Sequence, residues 1–308
     1  MQQDHADTGA GELEQILEGG VANAGSVVRI GDEVRRPAGP HTTTIHTLLR
    51  HVRATGCGAV PEPLGLDADG RDRLRFVPGD VAIPPFPAWS LTAEWLASTA
   101  RLLREFHDAS VDFVAPVGAS WSDELADPSG PAEVICHNDV CPENVVARHG
   151  AGVALLDFDF AAPGRRVWDL AAFACMCVPI DAPEDAARSG RDGLDQIGRV
   201  ALIADAYGLV GSQRGDLLGA IGERVADGGQ FVLRRVEAGE TAFIEMWRAM
   251  GGMARYDRRR AWFADNDDEL RRSRLRGDAQ STGAIDANAR ARSMPARRAS
   301  ESAEPTNT

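Results

Sequence analysis

Three polar residues near the middle of the chain have the types and the order needed to handle a metal-bound phosphate. Asp139 and Asn144 lie in the stretch VICHNDVCPENVV, residues 134–146, and Asp157 ends the apolar run that follows. A hairpin between the two segments would bring the three side chains to one end of a pair of strands. Carboxylate and carboxamide oxygens suit Mg²⁺ carrying a polyphosphate, and a further carboxylate can orient an attacking hydroxyl. The combination favours phosphoryl transfer.

The same stretch has two other interpretations. Cys136, His137 and Cys141 could bind a metal, but zinc sites usually join a Cys-x2-Cys unit to a second pair of ligands, and no such pair lies nearby in the sequence. Each polar residue could also cap a turn or end a strand, and for any single residue that ordinary role is favoured. Only the combination of Asp139 with Asn144 and a following Asp reverses this preference.

The surrounding sequence resembles two family motifs. HNDVCPENVV followed by LLDFDFAAPGRRVWDLA is similar to the two signature motifs of the aminoglycoside phosphotransferase/choline kinase family, which is itself similar to protein kinases. The resemblance covers about residues 15–265, because the first hairpin, the Pro-rich connector and the later helices follow in family order. It implies a two-lobed kinase-like fold and kinase-type chemistry.

The resemblance also implies roles for individual residues. Asp139 matches the catalytic-loop aspartate, Asn144 and Asp157 match magnesium ligands, and Asp159 matches a second acid beside the metal. His137 is expected to hold the loop in place and not to act as a base.

Two residues outside these motifs are expected to have structural roles. Asp169, in the segment WDLA, matches an aspartate that steadies the catalytic loop, and helix capping is compatible with that role. His107, beside the end of a predicted helix, is expected to pack or cap.

The elements that must position these residues form an α+β arrangement, with a small β-rich N-lobe and a larger, mainly helical C-lobe. Apolar alternation and turn residues predict hairpins at 26–36, 59–77 and 145–156, with a helix at about 43–55. The predicted boundaries are a flexible N-terminus at 1–14, the nucleotide-binding N-lobe at 15–79, a connector at 80–90, the C-lobe with the catalytic loop and acceptor site at 91–277, and a disordered tail at 278–308.

Two features of the N-lobe are predicted to hold a nucleotide. The turn GGVANAG, with Gly20 and Gly25, can bring backbone N–H groups to a phosphate. The chain contains no Lys, so the lysine of kinase-like sites must be replaced, and the strand EVRRPAG offers Arg35 or Arg36. Because side chains alternate along a strand, only one of them faces the cleft, and alignment with the Pro favours Arg35.

Composition argues against other classes of function. A net charge of −13 argues against a general nucleic-acid binder. No apolar run approaches the ~20 residues that span a membrane, and the N-terminus lacks the regions of a secretory signal. Five scattered Cys are typical of reduced thiols. We therefore expect a cytoplasmic protein that binds small molecules, with no nucleic-acid or membrane partner.

The predicted function is transfer of the γ-phosphate of Mg²⁺-bound ATP or GTP to a hydroxyl of an aminoglycoside-like or other small hydroxylated acceptor. The alternative is a kinase-like module that binds nucleotide or metabolite without transfer, because no acid lies between Pro40 and Gly58 to pair with the substituted Arg. Retention of Asp139 and its two partner residues favours the enzyme. The acids of 178–230 could attract a cationic acceptor, although a solvated surface is favoured for them.

Overall fold

The N-lobe is built on a five-stranded antiparallel sheet. The computed structural model describes residues 14–17 and 25–291, with side chains as far as 273. Two of the predicted hairpins are present in this sheet. The strands are β1 (Glu14–Ile16), β2 (Val28–Ile30), β3 (Glu33–Arg36), β4 (Pro63–Leu66) and β5 (Asp72–Arg75), and they pair in the order β1-β2-β3-β5-β4.

The register of β3 against β5 decides which arginine turns inward. Arg36 lies opposite Asp72, and both are buried, whereas Arg35 lies opposite Arg73 on the other face and is only partly buried. The prediction that Arg35 faces the cleft is therefore wrong in its geometry. Position relative to the following Pro does not determine which face of a strand is covered, because that depends on what packs against the sheet.

One apolar core joins the two lobes. Helix α1 (Thr42–Ala54), which matches the predicted helix, buries the apolar stripe of Ile45, Leu48, Leu49 and Val52. These side chains belong to the same core as helix α2 (Ala93–Ser110). The apolar spacing of three and four residues places the stripe on one face of α1. The N-lobe is thereby fastened to the C-lobe beside the cleft.

The connector between the lobes passes close to Ala147. Asp80 pairs with Ala147 through N–H···O bonds of 3.0 and 2.8 Å. Gly79 has φ +148°, and a Cβ at this position would lie 2.5 Å from the Ala147 carbonyl oxygen. Only glycine allows this approach without displacing the backbone.

The C-lobe begins with two small antiparallel sheets. Strand β7 (Val145–Arg148) pairs with β8 (Ala151–Leu155), which is the third predicted hairpin. Strand β6 (Val134–Cys136) pairs with β9 (Ala162–Gly164), a pairing that the sequence pattern did not predict. Together they bring the loop after β6 beside the segment after β8.

Helices complete the C-lobe. Glycines with positive φ, such as Gly239 and Gly251, separate consecutive helices of this lobe. The helices are α3 (Arg166–Cys177), α4 (Pro183–Arg188), α5 (Gln196–Tyr207), α6 (Gln213–Asp227), α7 (Gln230–Glu237), α8 (Thr241–Met250) and α9 (Gly252–Ala291).

The architecture confirms the predicted two-lobed α+β class. It differs at the predicted tail, because the backbone of α9 continues past 278 to Ala291, whereas composition predicted disorder from 278. The Ala- and Arg-rich composition of this stretch also has good helix propensity. Residues 1–13, 18–24 and 292–308 lie outside the described residues. Within the described part of the chain, no helix combines the length and apolarity needed to cross a membrane.

Candidate active site

The loop after β6 is held from below by Asp169 of α3, as predicted. The Asp169 carboxylate accepts the N–H groups of His137 (2.6 Å) and Asn138 (2.7 Å). His107 Nε2 donates to the same carboxylate (2.9 Å), and its Nδ1 accepts from the Tyr207 hydroxyl (2.6 Å). Burial raises the pKa of Asp169, but the bonds from His107 and the loop outweigh burial and hold this pKa below its ordinary value.

The loop is also fixed by its own side chains. His137 Nε2 donates to the Leu156 carbonyl (2.8 Å), so His137 acts as the predicted structural support. Asn138 has φ +68°, a conformation that asparagine tolerates better than most residues, and its Nδ2 donates to the Phe160 carbonyl (2.9 Å). These two bonds tie the loop to the segment that carries Asp157.

Asp139 and Asn144 are in direct contact. Asn144 Nδ2 donates to Asp139 Oδ2 and to the Asp139 carbonyl, both at 2.9 Å. Burial, together with the negative charges of Asp157 and Glu143, raises the pKa of Asp139 to about 7, although the Asn144 bond opposes the shift. The structure therefore places a fixed carboxyl group with a raised pKa at the end of the loop, as a positioned proton acceptor requires.

Asp157 and Asp159 share one cation from the N-lobe. Arg36 Nη1 donates to Asp157 Oδ1 (2.8 Å) and Nη2 donates to Asp159 Oδ1 (2.7 Å). Burial and the charge of Asp157 raise the pKa of Asp159 despite this ion pair. The negative charge around Arg36 is therefore only partly compensated.

Arg36 has further partners that sequence reasoning missed. Its Nε donates to Asp72 Oδ2 (2.9 Å), and His46 Nε2 of α1 donates to Asp72 Oδ1 (2.6 Å). The Asp72 side chain is only 2% exposed. A lone Asp and a lone His on separate elements gave no local signal, because the β3–β5 register and the packing of α1 bring them together.

The other N-lobe predictions are separate from this contact network. Arg35 lies within 4.0 Å of Glu33 and Asp67 and has no contact with the acids after β8. Gly25 has φ +78° and lies between β1 and β2, with open space where a Cβ would be. Gly20 lies outside the described residues. Phosphate binding by these glycines stays a prediction.

The donor set fits a hard divalent cation at Asp157, Asp159 and Asn144. All three supply oxygen ligands, and Arg36 engages one oxygen of each Asp. Such ligands are those that Mg²⁺ prefers. Three carboxylates contact the single guanidinium of Arg36, and the negative charge left over is what a divalent cation would neutralise.

The structure does not support the thiolate interpretation. Among the described residues, the one group of three His, Cys, Asp or Glu side chains with ligand atoms within 4.8 Å of each other is His107, Cys136 and Asp169. Both ring nitrogens of His107 and both carboxylate oxygens of Asp169 already have hydrogen-bond partners. Cys141 is not in this group, and burial raises its pKa well above the ordinary thiol range.

Solved structures show the same arrangement of lobes. A choline/ethanolamine kinase family protein from Mesorhizobium loti matches with a TM-score of 0.59 and 17% identity, covering 87% of this chain and 94% of its own. A Plasmodium vivax ethanolamine kinase matches with a TM-score of 0.53 and 13% identity, covering 77% and 80%. The fold is therefore the protein-kinase-like fold of small-molecule kinases.

Sequence comparison gives the family. The model of the phosphotransferase enzyme family matches residues 119–203, which contain the loop after β6 and the acids after β8. The trifolitoxin immunity protein of Rhizobium leguminosarum bv. trifolii is 34% identical over 194 residues, 62% of this chain and 73% of that protein. The chain belongs to the phosphotransferase enzyme family.

Proposed function

We propose that the protein transfers the γ-phosphate of Mg²⁺-bound ATP or GTP to a hydroxyl group of a small acceptor. The observation that carries this proposal is that bonds from His137 and Asn138 join two segments. One is the loop with Asp139 and Asn144, and the other is the segment with Asp157 and Asp159, which Arg36 joins to the N-lobe. Family membership supports the reaction class. A binding module would have no need to combine both sets of groups.

Each residue has a distinct task in this proposal. Asp139, fixed by the Asn144 amide, orients the acceptor hydroxyl and receives its proton. Arg36 neutralises phosphate charge from the N-lobe side. Mg²⁺, bound by Asp157, Asp159 and Asn144, would supply charge neutralisation at the phosphates. Catalysis then depends mainly on positioning and electrostatic stabilisation.

The proposed acceptor is not one of the strongly cationic molecules. The acids of 178–230 that would have attracted them are partly used in ion pairs, as Asp181 is with Arg255 and Arg259. An aromatic row, Phe160–Phe231–Phe243, with centroid separations of 5.3 and 5.8 Å, begins beside the catalytic loop. We propose that this row contacts an apolar or aromatic part of the acceptor.

Nucleotide binding is the first test. Mg-ATP and Mg-GTP should raise the thermal unfolding midpoint of the wild type, because a ligand that binds only the folded state stabilises it. Asp157→Ala should abolish the Mg²⁺-dependent part of the shift. Glu33→Gln is a matched control, since Glu33 pairs with Arg73 away from the site. No shift of the wild type at millimolar nucleotide contradicts the proposal.

Phosphate transfer is the second test. Asp139→Asn should lower turnover by about 10²–10⁴-fold, the usual contribution of a positioned acid–base group. It should leave the nucleotide-dependent shift in place. Bound nucleotide without transfer to any acceptor in a broad screen of hydroxylated compounds would favour the binding-module alternative.

A second candidate is protection against a toxin. It rests on the relative from Rhizobium leguminosarum, which is named as an immunity protein against trifolitoxin. Expression of the chain in a trifolitoxin-sensitive strain should then give resistance. If Asp139→Asn protects equally well, immunity is independent of phosphate transfer; if only the wild type protects, the two functions are one.

A further inference from the structure

The guanidinium of Arg36 has an acceptor for each of its three nitrogens. Nε contacts Asp72, Nη1 contacts Asp157 and Nη2 contacts Asp159, at 2.9, 2.8 and 2.7 Å. The Arg36 side chain is 9% exposed. The three contacts are not equivalent, because the three acids differ in their exposure to solvent.

The two ends of the guanidinium have different surroundings. The Nε contact is enclosed, since Asp72 is 2% exposed, whereas Asp157 and Asp159 are 35% and 36% exposed. A group that approaches from the cleft can therefore reach the Nη atoms and the two outer acids. It cannot reach the bond between Nε and Asp72 without opening the sheet.

Asp72 is itself held on both sides. It lies opposite Arg36 in the β3–β5 register, and its other oxygen accepts from His46 of α1. Burial raises the pKa of Asp72, but the bond from His46 and the charge of Arg36 outweigh burial and lower it. The carboxylate is thus fixed between a helix and a neighbouring strand.

We propose that Asp72, held by His46, is the positioning residue for Arg36. Nε stays on Asp72, while Nη1 and Nη2 pass from Asp157 and Asp159 to the phosphates of the nucleotide. The acid that pairs with the N-lobe cation then comes from β5, because α1 carries no acid and contributes a histidine instead. The inference rests on the proposed function, because it gives Arg36 a phosphate ligand.

A purely structural role makes a different prediction. If Asp72 only stabilised the N-lobe, its loss would affect nucleotide binding whether or not Arg36 were present. If Asp72 acts through Arg36, its effect on binding must vanish once Arg36 is removed. A double-mutant cycle separates the two, because it measures the coupling between the residues.

The experiment measures the Kd of Mg-ATP and of Mg-GTP by titration calorimetry on the full chain. Asp72→Asn should weaken binding of the preferred nucleotide about tenfold, in line with loss of a charged hydrogen bond. Arg36→Met should weaken it at least as much, and the double variant should match Arg36→Met within about twofold. Glu33→Gln, on the opposite face of the same strand pair, should stay within about twofold of the wild type.

His46→Leu is the second variant, in case Asp72→Asn fails to fold. It leaves both charges in place, so a loss of about threefold is expected, again only when Arg36 is present. Far-UV circular dichroism and the unfolding midpoint without ligand report on folding.

The outcomes separate the two proposals. Two results overturn the positioning role and leave the proposed function standing. In the first, the wild type binds nucleotide and Asp72→Asn has the same Kd as the wild type. In the second, Asp72→Asn weakens binding by the same factor with and without Arg36. A folded wild type that binds neither Mg-nucleotide overturns the proposed function, and the positioning role falls with it.

Discussion

Two of the ionic clusters among the described residues differ in their charge balance. The interlobe cluster, defined as Asp72, Asp157 and Asp159 around Arg36, contains three carboxylates and one guanidinium. Burial and the charge of Asp157 raise the pKa of Asp159 in this cluster. Ionised Asp159 is therefore costly to keep, because one guanidinium does not balance three carboxylates.

The C-lobe cluster has the opposite balance. Asp181 is fully buried and accepts from Arg259 Nε (2.8 Å) and Arg255 Nη2 (2.7 Å), and Asp185 accepts from Arg258 (2.6 Å). Burial raises the pKa of Asp181, but its two arginines outweigh burial and lower it. These contacts tie the region before and within α4 to α9.

The difference in charge balance distinguishes a candidate ligand-binding cluster from a structural ion pair. Where arginines compensate the acids fully, ionisation stabilises the fold and the cluster needs no ligand. Where acids outnumber the arginines, a further cation improves the balance, and Mg²⁺ is the cation that the oxygen donors fit. Burial alone does not separate the two, because both clusters contain carboxylates that are nearly inaccessible.

The largest effect on stability is expected from Asp181→Asn. Removing one partner of a buried ion pair leaves two arginines without their acid, so the free energy of unfolding should fall by about 3–5 kcal/mol. Equilibrium unfolding in urea measures this change in the free energy of unfolding. The control is Asp205→Asn, because Asp205 is half-exposed in its pair with Arg214 and should cost less than about 1 kcal/mol. Equal losses from both variants would remove the distinction.

The pH dependence of stability should follow the C-lobe cluster. An acid whose folded-state pKa is lowered contributes stability above its ordinary pKa and loses it as pH falls through the folded value. Asp181 and Asp185 both have lowered pKa values. The wild type should therefore lose stability below about pH 5 more steeply than Asp181→Asn, as urea titrations between pH 7 and pH 3 would show. Parallel curves would contradict this.

A smaller effect on stability is expected from Asp157→Asn without ligand. The substitution weakens one contact to Arg36 but also relieves repulsion between Asp157 and Asp159. The free energy of unfolding should change by less than about 1 kcal/mol, while Mg²⁺-dependent nucleotide stabilisation disappears. A loss as large as that of Asp181→Asn would show that the interlobe cluster is mainly structural.

The smallest effect is expected from Arg35→Met. Arg35 is partly exposed, and its nearest acids, Glu33 and Asp67, lie 3.7 and 4.0 Å away. Nucleotide affinity should stay within about twofold and stability within about 0.5 kcal/mol of the wild type. The neighbouring Arg36→Met is the comparison, and a larger loss for Arg35→Met would reverse the assignment of the two faces.

Much of the fold was predictable because its signals are local. The three hairpins and the apolar stripe of α1 depend on alternation, turn residues and helical spacing within a few positions. The pairing of β6 with β9 was not predictable in this way, since its strands are three residues each and far apart in sequence. The continuation of α9 past 278 was missed because composition alone does not separate a polar helix from a disordered tail.

The sequence by itself determined the residue types of the candidate site and their order: Asp139 with Asn144, then Asp157 and Asp159. Tertiary structure alone decided which arginine contacts Asp157 and Asp159. Arg36 rather than Arg35 reaches the acids, and Asp72 and His46 hold it, because strand register and helix packing bring together residues that are distant in the chain. The register of a sheet depends on the pairing of two strands, so it cannot be inferred from the sequence of one strand.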